Sequence, residues 1–133
     1  MTMEYSQEFV VGQLKWADEA LSDAEYLLKD YRLRASANRA YYAMFYAAQA
    51  ILSRTNGQLP KTHSGVINQF GLHVARPGIV DRQLGAHLRN AHRLRIRTDY
   101  ELHAEYADDL VAETVQNARA FVSAVRRALD LPR

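Results

Sequence analysis

From Ser6 onward, apolar residues recur at Val10, Leu14, Ala17, Leu21, Ala24 and Leu28, spaced alternately by four and three, which predicts one buried stripe along a helix. Ser6 stands where a helix N-cap is expected. The next run, ASANRAYYAMFYAAQAILSR, carries one stripe at Ala37, Tyr41, Met44, Ala48 and Ile51 and a second at Tyr42, Phe45, Gln49 and Leu52. A helix apolar on two sides belongs in the middle of a bundle. TNGQLP then breaks the pattern, and a shorter helix from about Thr62 is predicted to bury Val66, Ile67, Phe70 and Val74.

Beyond the Pro77-Gly78 turn, Val80, Leu84, Leu88 and Ala91 give a fourth helix whose other face holds Arg82, Arg89, Arg93 and Arg97. Helix character is expected to falter at RTDYEL, with Asp99 capping the helix that follows and Tyr100 turning into the core. A last helix runs through Val111, Val115, Ala118, Val122, Val125 and Leu129. Its charges suit the helix dipole, with Glu105, Asp108 and Asp109 early and Arg126 and Arg127 late. No alternation of strand type and no internal repeat competes, so the expected fold is an all-α, up-and-down four-helix bundle with one additional short helix.

At 133 residues, 48% of them apolar, the chain reads as a single domain spanning 1–133 with its own core. With no cysteine, disulfides, thiolate metal sites and cysteine nucleophiles drop out. No run approaches the roughly 18 apolar residues of a membrane span, and the expected location is the cytoplasm. The net charge of +2 hides an asymmetry. Arg76, Arg82, Arg89, Arg93, Arg95 and Arg97 face one acid, Asp81, and are followed by Asp99, Glu101, Glu105, Asp108 and Asp109. A basic face beside an acidic one binds phosphates, or binds the opposite patch of a second copy.

ANRAYYAMFYAAQAIL, then KTHSGV, then RLRIRTDY, in that order and spacing, resemble the HEPN domain family over most of the chain. The resemblance implies the bundle that periodicity predicts independently. It also implies two kinds of work. Some members of the family are metal-independent endoribonucleases, often toxins, that pair an arginine with a histidine four to six residues later and join two such motifs across a dimer. Others act with a minimal nucleotidyltransferase in a toxin–antitoxin-like or nucleotide-sensing pair.

Arg97 and His103 meet the ribonuclease spacing at the place the resemblance expects, and Arg82 and His87 repeat a similar one. In that role the histidine takes a proton from a ribose 2′-hydroxyl and the arginine stabilises charge on the phosphate. Thr98 stands where active members often carry Asn, Asp or His, and the nearest tyrosine beyond His103 is Tyr106, three residues on. Arg39, beside Tyr42 and Tyr46, must be paired or face a groove, so it holds either a nucleotide phosphate or an internal carboxylate. With Arg89 and Arg93 it makes the expected nucleotide- or RNA-binding set.

Tyr41, Tyr42 and Tyr46 are core by spacing, although such rings also stack on bases. His63, beside Lys61 and Thr62, is read as part of a helix start. His87 and His92 are five apart and share no face as a metal-binding pair would, so neither metal nor cofactor is expected. The expected function is therefore a HEPN protein that binds nucleotide or RNA, forms a homodimer and works with a minimal nucleotidyltransferase. The alternatives are a metal-independent endoribonuclease toxin and a non-catalytic dimerisation module.

Overall fold

The computed structural model describes residues 5–55, 58–101 and 107–131, and the described residues are helical, with no strand among them. Helix α1 spans Gln7–Lys29, α2 Leu33–Thr55, α3 His63–Phe70, α4 Gln83–Tyr100 and α5 Asp108–Ala128. Each starts or stops for a local reason. Ser6 Oγ accepts the Phe9 N–H at 3.1 Å, and Thr62 Oγ1 accepts that of Gly65 at 3.0 Å, giving α1 and α3 their N-caps. At the end of α1, Tyr31 adopts φ +56, and the N–H groups of Tyr31 and Arg32 close back on the carbonyls of Leu28 and Leu27. The reversal is so short that α2 must return against α1.

Alanines make that return close. Ala17, Ala24, Ala37, Ala40, Ala47 and Ala118 are fully buried, and Ser36 of α2 donates through its hydroxyl to the Ala24 carbonyl at 2.7 Å. Leu14, Met44, Ile51, Leu52 and Val111 fill the same core. Phe70 of α3 stacks on Phe121 of α5 with ring centres 5.0 Å apart. Ion pairs of Arg119 with Glu25 and of Arg126 with Asp18 tie α5 to α1 at the surface.

A π-helical turn at Gly71–Ala75 follows α3 and buries Val74, and the chain then reverses at Gly78, whose φ of +84 suits glycine. Among the described residues no helix is long and apolar enough to cross a membrane. One expectation is corrected at the end of α4. The helix runs on through Tyr100, so Asp99 is an α4 residue paired with Arg95 rather than a cap, and α5 begins after Ala107 without a side-chain cap. Tyr100 is 79% exposed and does not enter the core. Thr98 takes the buried place on that turn instead.

Candidate functional site

The middle of α2, the first residue of α3 and the last two turns of α4 converge. Tyr41 and Phe45, four apart on α2, are buried, while Tyr42 and Tyr46 beside them are half-buried. Thr62 takes the cap, so His63 opens α3 with its ring against α2. Its Nδ1 lies 2.6 Å from the Tyr41 hydroxyl, and its ring stacks on Phe45 at 4.3 Å and 11°. The start of α3 is held tightly, since a Cβ on Gly65 would meet Pro60 Cβ at 2.6 Å and Thr62 Oγ1 at 2.8 Å.

Helix α4 brings His92 and Arg95, three apart and therefore on one face. The His92 ring centre is 5.3 Å from that of Tyr41 and 6.2 Å from that of His63, nearly parallel to the latter at 14°. The Arg95 guanidinium donates through Nη1 to the Tyr42 hydroxyl at 2.9 Å and lies 3.5 Å from Asp99 through Nη2. Its carbon stands over the rings of Tyr41 and Tyr42 at 5.5 and 5.6 Å. Its Nε is buried with no hydrogen-bond partner among the described residues.

Electrostatics follow from this packing. Burial, then the Arg95 charge, holds the His63 imidazole below its ordinary value of 6.5. The same two causes, with His63 as a third, lower His92. Burial raises the Tyr41 phenol well above its usual range, with Arg95 opposing and Tyr42 adding. At neutral pH the cluster is therefore one fixed cation among neutral, hydrogen-bonding rings.

Arg39 also packs on Tyr42, with its guanidinium carbon 4.9 Å from that ring's centre. Its Nε and Nη2 donate to the Asn38 carboxamide oxygen at 3.1 and 2.9 Å, so its polar partner is an amide. It lines a cavity of about 580 Å³ with Arg32, Arg34, Asn38 and Asp99 over an apolar floor that includes Leu27 and Leu33. A smaller cavity of about 220 Å³ puts Arg39 beside Trp16 and Tyr46, whose rings meet edge to face at 5.5 Å. Arginines, aromatic rings and a concave apolar floor suit a ligand with phosphates and bases.

Of the residues singled out in the sequence, Arg39 and Asp99 join this region. Arg89 and Arg93 lie on the exposed face of α4, Arg93 with Nη1 3.5 Å from Asn90 Oδ1. Arg97 donates through Nε to Glu101 at 3.2 Å, one helical turn on. His103 and Tyr106 lie outside the described residues, so the Arg97–His103 pairing has no geometry here.

Sequence reasoning counted Arg95 only within the basic stretch, weighed His92 only as a metal ligand, and read His63 as part of a helix start. A signal was present. The apolar stripe of α4 through Leu84, Leu88 and Ala91 continues with the same spacing to Arg95 and Thr98, and a cation on a core-facing stripe has to be held by something.

Known proteins agree with the architecture. Residues 13–128 match the HEPN domain family. The UPF0332 protein of Thermotoga maritima is 32% identical over 114 residues, 86% of each chain. A Methanocaldococcus jannaschii protein named as a candidate toxin is 32% identical over 126 residues, 92% of this chain and 90% of its own. A UPF0332 protein of Pyrococcus horikoshii is 43% identical over 84 residues, 63% of this chain and 58% of its own. With a family match that runs from within α1 to the end of α5 and relatives aligned over most of its length, the chain belongs to the HEPN domain family.

Proposed function

We propose that this chain is a toxin-type HEPN protein that binds RNA or a nucleotide along the face shared by α2 and α4, and that a minimal nucleotidyltransferase is its antitoxin partner. The observation that carries the reading is the pair of guanidinium groups, Arg39 and Arg95, over the single Tyr42 ring, continuous through Asp99 with the arginine-lined cavity. Phosphates need fixed cations and bases need ring faces, and this surface offers both within one side chain's reach. The toxin name of the Methanocaldococcus jannaschii relative supports the class.

A homodimer belongs to the same proposal, because the arginine face of α4 and the acidic start of α5 are complementary between two copies. The test is titration of fluorescent single-stranded RNA and of mononucleotides, over a salt series, with copurification of a co-expressed nucleotidyltransferase. Binding that weakens with salt, and weakens at least about tenfold in Arg39→Ala, is expected, since a charge-assisted contact contributes about 1.5–3 kcal/mol. Absence of binding to RNA and to nucleotides alike would overturn the reading.

A further inference from the structure

We propose that the smaller cavity, between α1 and α2, is a binding site for a short aliphatic diamine or polyamine, with Glu19 and Asp23 taking its ammonium groups and the Trp16 ring covering the methylenes between them. The site shares only Arg39 with the larger, arginine-lined cavity, so it goes beyond the function proposed above.

Its walls are aromatic. Trp16, Glu19 and Asp23 follow one another at spacings of three and four, which sets them on one face of α1, with the buried Ala20 as an apolar floor and Tyr46 as the wall from α2. Trp16 is 56% exposed, yet it is not loose, since its ring meets that of Tyr46 edge to face at 5.5 Å and 63°. An indole left more than half open and fixed by a neighbouring ring gives the cavity π surface, and indole is the best side-chain partner for a cation.

The carboxylates are a second observation, independent of the rings. Asp18 and Glu25 of α1 are neutralised by Arg126 and Arg119 of α5, whereas Glu19 and Asp23 have neither ion pair nor hydrogen bond among the described residues. Two like charges one turn apart destabilise a helix until cations sit on them. The cation that shares the cavity does not do so. Arg39 gives its Nε and Nη2 to the Asn38 carboxamide and packs on the Tyr42 ring, although it lines the same space as both acids.

The spacing selects the ligand. Positions one turn apart hold their Cβ atoms about 5–6 Å from each other, a separation that two ammonium groups on a short alkyl chain match. Each ammonium donates charge-assisted N–H···O bonds to one carboxylate, and the methylenes between lie on Trp16 and Ala20 and leave water. A metal ion would use the carboxylates and waste the ring. A quaternary ammonium would use the ring and has no N–H for the carboxylates. At about 220 Å³ the cavity is below the size that drug-sized ligands occupy and suits a chain of few heavy atoms.

Trp16 is the only tryptophan of the chain, so its emission reads the site directly. The experiment titrates the full chain with putrescine and with spermidine at low salt, following Trp16 fluorescence and, in parallel, heat by calorimetry. Saturable binding that weakens with salt is expected, with butylamine and tetramethylammonium each at least about tenfold weaker than putrescine. Glu19→Gln and Asp23→Asn, at exposed positions of α1, should each weaken putrescine at least about tenfold by calorimetry, and Trp16→Leu by about three- to tenfold.

Arg39→Ala removes the one cation of the lining and should tighten putrescine binding, the opposite of its expected effect on RNA, so the two readings fail separately. The proposal is overturned by the absence of a saturable response, by a response that sodium or magnesium chloride reproduces at equal ionic strength, by putrescine affinity that both carboxylate variants leave unchanged, or by its loss in Arg39→Ala. None of these outcomes touches the proposed function. Diamine binding without RNA or nucleotide binding supports the proposal and overturns that function alone.

Discussion

Within this bundle two neighbouring regions are packed by opposite rules. Where α1, α2 and α5 meet, Ala17, Ala40, Ala47 and Ala118 bring backbones close, and Leu14, Met44 and Phe121 fill the space without a charged atom among them. Where α2 meets α3 and α4, five rings and a guanidinium replace alkyl groups, and Arg95 Nε is left without a partner among the described residues. The first region gains its stability from dispersion and apolar burial, and the second spends some of it on holding basic groups away from water. The difference teaches where to look for chemistry in a small helical protein. A cation, two lowered imidazoles and a raised phenol on core-facing positions are an expense that packing alone does not explain.

The largest test of that contrast removes bulk from the apolar side. Phe121→Ala, at a fully buried ring stacked on Phe70, should cost about 3–5 kcal/mol in urea unfolding. A cost under about 1 kcal/mol would mean that this core is loosely packed and the contrast false. Overpacking the same region comes next. Ala47→Leu, at a fully buried position on α2, should destabilise by about 1–3 kcal/mol by the same assay, and a neutral result would show slack between α2 and its neighbours.

On the ring side, Tyr41→Phe deletes one hydrogen bond and no volume, so the loss should be about 0.5–1.5 kcal/mol. Stability gained by that change would show that burial of the phenol outweighs its bond to His63. The smallest effect concerns pH. Since the folded state holds His63 and His92 below 6.5, the unfolded chain takes up protons first on acidification. Stability present above 6.5 is therefore lost as pH falls from there through the folded values. His92→Gln should make that decline shallower in paired melts at pH 7.5 and 5.5, and an unchanged slope would remove His92 from the account.

Periodicity made nearly all the helix positions legible, because stripes at three and four report burial directly, as at Val10–Leu28 and Val111–Val125. The end of α4 was misread because an aspartate followed by a tyrosine looks like a cap and a core ring. In the structure Arg95 pairs with that aspartate from within the helix, and the helix continues. The site was only partly legible for a different reason. Arg39 and the α2 tyrosines stand out within one segment, whereas His63, His92 and Arg95 acquire meaning only once three helices are laid together. No local pattern reports such a convergence.

That convergence has a consequence for synthesis of the chain. Tyr41 and His63 are 22 residues apart, and Tyr42 and Arg95 are 53 apart, so the ring cluster depends on contacts of long sequence separation. A nascent chain that has delivered α1, α2 and α3 holds the tyrosines and His63 but neither His92 nor Arg95. Truncated or still-emerging copies therefore lack the complete cluster, which forms only when the bundle closes. Its assembly therefore follows the rate at which full-length chains leave the ribosome and close.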